Sequence, residues 1–136
     1  MITQKYINDL AYKIIGCAIE VHKQLGPGLL ESVYEKCLSY ELKINGLDAE
    51  HQKKIGVVYK EIKIDTDLRI DLLVNDCIIV EIKSIDNILP IHQAQLMTYL
   101  KILKKPKGLL INFNCTNITK SLIPIVTEEF AKLPSE

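Results

Sequence analysis

Neither sign of charge is in excess in this chain. Its 136 residues carry 17 Lys and Arg against 17 Asp and Glu, a formal net charge of zero. That excludes a strongly basic protein that coats DNA by charge alone, although a local patch or bound metal ions can still serve a polyanion. Cysteine is sparse and without pattern. Cys17, Cys37, Cys77 and Cys115 are scattered, with no CxxC pair and no zinc-like spacing. They read as small buried hydrophobes in a reducing cytosol. No apolar run reaches the ~18 residues of a membrane span. The start, MITQKYINDLAYKII, is polar and amphipathic, unlike a secretory signal. A cytoplasmic protein with no membrane partner is therefore expected, and the N-x-T patterns at Asn114 and Asn117 are chance matches. Repeats, low-complexity segments and linkers are also missing, so residues 1–136 read as one domain. With 48% apolar and 25% charged residues, the composition is that of a globular chain.

What the chain does have is clear periodicity. Ile7, Leu10, Ala11, Ile14, Ile15, Ala18 and Val21 recur at helical spacing between Thr3 and Gln24. Thr3 suits the N-cap, and Gly26 with Pro27 stops the helix. A second helix runs from about Leu29 to Ile44 and ends at Asn45-Gly46. Ala49 to Ile64 and Leu68 to Val74 are strand-like, with a turn at Asp65, Thr66 and Asp67. Cys77 to Ile82 is a nearly continuous apolar strand, which suggests burial on both faces. Pro90 to Leu103 is helical, with Pro90 in its first turn. Gly108 to Phe113 is a short apolar strand, a further strand is expected near Ser121 to Val126, and the tail after Glu128 is expected to be loosely held. The order is ααβββαβ(β). A strand, a helix and a buried strand in succession imply a crossover, hence a mixed sheet flanked by helices in an α/β (α+β) fold.

One segment breaks the rule that buried strands are apolar. RIDLLVNDCIIVEIKS, residues 69–84, puts Asp71 in one strand and Glu81 and Lys83 in the next. An unpaired buried charge is costly. With a two-residue turn at Asn75-Asp76, Val74 pairs with Cys77 and the two acids point to opposite faces. With a three-residue loop or a bulge, Val74 pairs with Ile78 and Asp71 falls opposite Glu81. The sequence alone leaves both registers open; the chemistry favours the second. The second would set Asp71, Glu81 and Lys83 on one face, where two carboxylates suit Mg²⁺ and the ammonium could hold a water or stabilise charge on a phosphate. Taken alone, an E-x-K in a strand more often reads as an edge ion pair. The apolar run before Glu81 and the upstream Asp71 weigh against that.

Asp71 with Glu81-Ile82-Lys83 resembles the motif of the PD-(D/E)XK nuclease superfamily. Gly28-Leu29-Leu30-Glu31-Ser32-Val33-Tyr34 resembles the signature of the small GxxExxY proteins within it, and HQAQLMTYLK and GLLINFN resemble that family's later helix and strand. The resemblance spans about residues 5 to 125. It implies a restriction-endonuclease-like core and a metal-dependent nuclease that hydrolyses phosphodiester bonds in DNA, with RNA second. It implies that Asp71, Glu81 and the Ile82 carbonyl hold Mg²⁺ or Mn²⁺, and that Lys83 activates water.

Accessory residues follow from helix geometry. At about 100° per residue, the apolar stripe of the second helix is Leu30, Val33, Cys37, Tyr40 and Ile44, with Tyr34 and Leu38 along one edge. Glu31 falls just beyond that edge. The helix dipole alone would explain an acid in the first turn; the resemblance adds a metal-proximal or water-orienting role. Tyr34 reads as packing, with a hydroxyl that could reach the site. His92, Gln95 and Tyr99 fall within about 60° of arc by the same count. Gln95-x-x-x-Tyr99 resembles the QxxxY motif of RecB-like members, in which both approach the metal or the nucleic-acid backbone. Alone, Tyr99 reads as core and His92 as a helix-start residue with a lesser chance of phosphate contact. Gln52 and Lys54 are weaker candidates to line the cleft. Two rivals stand beside the nuclease: a non-catalytic module that binds nucleic acid or protein, and a structural oligomer built through the first helix. The zero net charge weighs mildly for the module, or for a homodimer that builds a larger groove.

Overall fold

The computed structural model describes Met1–Glu136. Helix α1 spans Gln4–Leu25. Thr3 caps it, its Oγ1 accepting the Tyr6 N–H at 3.0 Å, and Gly26 ends it at φ 70°. Its stripe from Ile7 to Val21 is buried, as the spacing predicts. Helix α2 spans Glu31–Ile44, β1 Ala49–Lys54, β2 Val57–Tyr59, β3 Ile62–Ile64, β4 Arg69–Val74 and β5 Ile78–Lys83. Then follow α3 Pro90–Leu103, β6 Lys107–Asn112, α4 Ile118–Ser121, β7 Ile123–Val126 and α5 Glu128–Ala131. Strands β1, β4, β5, β6 and β7 form one five-stranded sheet in that order. The β5–β6 pair is parallel, joined through α3, and the other pairs are antiparallel. The mixed α/β architecture flanked by helices is therefore the one expected.

Both faces of the sheet are covered. Leu72, Val74, Ile78, Val80, Ile82, Leu109 and Ile111 pack with α1, α2 and α4. Ile70, Leu73, Ile79 and Leu110 pack with Leu96, Tyr99 and Leu100 of α3. Each aliphatic side chain so buried contributes about 1.5–3 kcal/mol. This two-sided cover explains why β5 is apolar at nearly every position. Gly108 on β6 lets α3 approach: a Cβ there would sit 3.0 Å from methyl carbons of Leu96 and Leu100.

Three expectations need correction. The strand region from Ala49 to Ile64 is not continuous. It breaks at Ile55-Gly56, and β2 and β3 form a separate hairpin whose turn residues Lys60 and Glu61 lie at φ 48° and 69°. Nothing in the composition of a Lys-Glu turn announces those left-handed conformations. The tail is held rather than loose. Phe130 packs against the core, and the backbone N–H groups of Gln4 and Lys5 donate to the carbonyls of Pro134 and Ser135 at 2.8 and 3.1 Å. Finally, α2 is rotated from its expected orientation. It buries Tyr34, Glu35, Leu38 and Leu42, while Leu30, Val33, Tyr40 and Ile44 are exposed.

No helix is long and apolar enough to cross a membrane. All four cysteines are free, with Cys17 and Cys77 buried.

Candidate active site

The turn between β4 and β5 decides the register. Asn75 and Asp76 sit at φ 50° and 58°, a region that Asn and Asp tolerate better than most L residues. Cys77 is the extra residue, and the ladder pairs Val74 with Ile78, Leu73 with Ile79 and Leu72 with Val80. The next position outward sets Asp71 against Glu81. The backbone ladder stops there, and the Asp71 side chain takes over: its Oδ2 accepts the Ile82 N–H at 2.8 Å. The strand alternation slips at the same place, since Ile70 and Leu73 both pack towards α3 although three residues apart.

Glu81 is only 8% exposed, and its Oε1 is buried without a hydrogen-bond partner. Burial, then the charge of Asp71 and a carboxyl–carboxyl contact with it, pushes the Glu81 pKa up to about 9; Lys83 opposes the shift. An orphaned buried oxygen on a carboxyl beside a second one is costly unless something outside the chain satisfies it. Lys83, two residues on and half-buried, forms no ion pair within 4 Å. Tyr99 is buried on α3. Burial raises its hydroxyl pKa, and the charges of Glu81 and Asp71 raise it further.

A third acid enters from α2, and the sequence reading did not single it out. Glu35 is 9% exposed. Its Oε1 accepts the Gln52 Nε2–H at 2.6 Å, and the same nitrogen donates to Asp71 Oδ1 at 3.3 Å. Burial raises its pKa and the Asp71 charge raises it further, against the lowering effect of the Gln52 hydrogen bond. His51 Nδ1 lies 3.8 Å from Glu35 Oε2. The signal for Glu35 was present in the row Tyr34, Leu38 and Leu42, beside which it falls at helical spacing, but the neighbouring row ending at Tyr40 and Ile44 is as apolar.

The other candidates spread out. Glu31 stands one turn before Glu35 on the same side of α2, exposed and bonded to no side chain of the site. Tyr34 does not reach the site. It is fully buried, stacks on Phe113 at 4.5 Å, donates from its hydroxyl to the Gly26 carbonyl at 2.5 Å and accepts the Leu29 N–H at 3.1 Å. It therefore ties down the α1–α2 loop, in which Gly28 at φ 98° supplies a conformation that side chains rarely adopt. His92 Nδ1 accepts the Leu89 N–H at 2.9 Å and so caps α3. Gln95 is exposed one turn before Tyr99. Asn112 is buried and clamps the segment after Lys83, bonding the N–H and C=O of Ile85 at 3.1 and 2.9 Å.

A family model of the PD-(D/E)XK nuclease superfamily matches residues 8–123, a span that holds every one of these groups. The chain belongs to the PD-(D/E)XK nuclease superfamily. No curated protein and no solved structure matches it. Nucleases of this superfamily generally use divalent metals, and the donor set of this member fits such an ion: two carboxylates where the β4–β5 ladder ends, one with an unsatisfied oxygen. No group of three or more His, Cys, Asp or Glu side chains converges as a metal cage. An ion here would keep several waters, which is the habit of Mg²⁺.

Proposed function

We propose that this chain is a metal-dependent nuclease that hydrolyses phosphodiester bonds in DNA, with RNA the second choice. Asp71, Glu81 and the Ile82 carbonyl would hold Mg²⁺ or Mn²⁺. The observation that carries the reading is the buried Glu81 carboxyl beside Asp71, with its Oε1 unpartnered and Lys83 unpaired nearby. The bound ion would polarise the scissile phosphate and neutralise charge developing on it. Glu81 would give up its proton on becoming a ligand. Asp71 is oriented for the same task by the Ile82 N–H. Lys83 would orient the attacking water and stabilise the negative charge that develops, more strongly in a partly buried site than in open water. Tyr99 can donate from its hydroxyl to a carboxylate or a phosphate oxygen. Gln95 and Glu31, both exposed, would act at the mouth on water or on the nucleic-acid backbone.

Within the superfamily we read the chain as one of the small GxxExxY proteins. Support comes from the work those positions do: Gly28 makes the left-handed turn and Tyr34 locks it. The test is cleavage of labelled single- and double-stranded DNA, and of RNA, with Mg²⁺, Mn²⁺ or chelator. Cutting that needs the ion and is lost in Glu81→Gln supports the proposal. If none of these substrates is cut and no ion binds, the non-catalytic binding module replaces it.

A further inference from the structure

Gln52 lies mid-strand in β1 at φ 52°. Its neighbours keep one register on either side, His51 opposite Leu72 and Lys53 opposite Ile70. No residue is inserted, so pairing does not demand the left-handed backbone. Glutamine gains nothing locally from that region. Strain of this kind persists only where surrounding contacts over-determine it, and here they do. The Gln52 carbonyl accepts from Arg69 Nη1 at 3.2 Å. Its Nε2 donates one hydrogen to Glu35 at 2.6 Å and the other to Asp71 at 3.3 Å. By the register Gln52 stands directly opposite Asp71, and the twist of its backbone lets one amide reach two carboxylates on different elements.

We infer that Gln52 is a positioning residue of the cation site: its amide fixes the Asp71 carboxylate for the ion and ties Glu35 to the same anchor. The inference rests on the functional reading above. Asp71 has one oxygen on the Ile82 N–H and the other on this amide, so its plane is fixed before an ion arrives. The long second bond leaves Oδ1 open to a cation. The short bond holds Glu35 Oε1 on the same amide nitrogen, so one side chain sets both acids. Groups that orient a ligand from behind typically change metal affinity by about 10–100-fold.

The test uses the full chain with Gln52→Asn and Gln52→Gly. Both residues tolerate the left-handed conformation, and neither can span the two carboxylates. Calorimetric titration with Mn²⁺ should show affinity falling about 10–100-fold, while the thermal midpoint in chelator stays level or rises. A purely structural glutamine would instead lower the midpoint and leave affinity in place. Wild-type Mn²⁺ affinity in both variants, or midpoints that fall with it, overturns the inference alone. A wild-type chain that takes up no Mn²⁺ overturns the functional reading and this inference with it.

Discussion

Asp71 accepts the backbone N–H of Ile82 through Oδ2 at 2.8 Å, on the strand across from it. This bond replaces the last rung of the β4–β5 ladder. It makes Asp71 part of the sheet at the point where Glu81 keeps one buried oxygen, Oε1, without a hydrogen-bond partner. One acid is thus tied down and its neighbour is left to be completed from outside.

Removing the charge of Asp71 should therefore not unfold the protein. In Asp71→Asn the side-chain oxygen can still accept from Ile82, and the new amide can donate to Glu81 in place of a repulsion. The thermal midpoint in chelator should hold or rise slightly, while ion binding is lost. A drop of many degrees would mean that Asp71 serves the fold through its charge.

The pH dependence of stability carries the sign of the Glu81 shift. Its folded pKa, about 9, stands above the ordinary 4.5. Between those values the folded state holds a proton that the unfolded chain has released. The stabilising contribution is complete below the ordinary value, declines as pH rises through the window and is gone above about 9. Glu35, raised in the same direction, adds to the decline. Thermal melts in chelator from about pH 4 to 10 should show this fall, and Glu81→Gln should flatten it.

Lys83→Ala should slow single-turnover cleavage by about 10²–10³-fold without weakening ion binding, since an ammonium is not a ligand and its loss removes a repulsion. Equal loss of ion affinity in the Lys83 and Glu81 variants would contradict these separate roles.

Tyr34→Phe should do the opposite. It leaves the Leu29 N–H and Gly26 carbonyl without the hydroxyl they share and should cost about 1–2 kcal/mol of stability, read by denaturant melts, with ion affinity unchanged.

Much of this was legible in the chain. The α1 caps and stripe, the bounds of α3 and the crossover from β5 to β6 followed from spacing and turn chemistry. Asp71, Glu81 and Lys83 stood out because charge in a two-faced buried strand is expensive. The register of their hairpin did not follow, because Asn75-Asp76 suits both loop lengths and only the observed left-handed pair with Cys77 added decides between them. The orientation of α2 was illegible for a different reason. Two adjacent rows of that helix are apolar, and helical spacing cannot say which one the sheet covers. Glu31 drew attention through the signature it belongs to, and with the wrong row taken inward Glu35 did not. Gln52 was equally hidden, since its importance lies in a backbone angle and two carboxylates brought together from distant parts of the sequence.

The most direct test is calorimetric titration of the wild type with Mg²⁺ or Mn²⁺ at about pH 7, repeated in buffers of different ionisation heat. A cation held by Asp71 and Glu81 must displace the proton that Glu81 carries at that pH. The account predicts saturable binding that releases about one proton per ion, with both binding and release abolished in Glu81→Gln. Binding without proton release and unaffected by Glu81→Gln, or no binding at all, would contradict it.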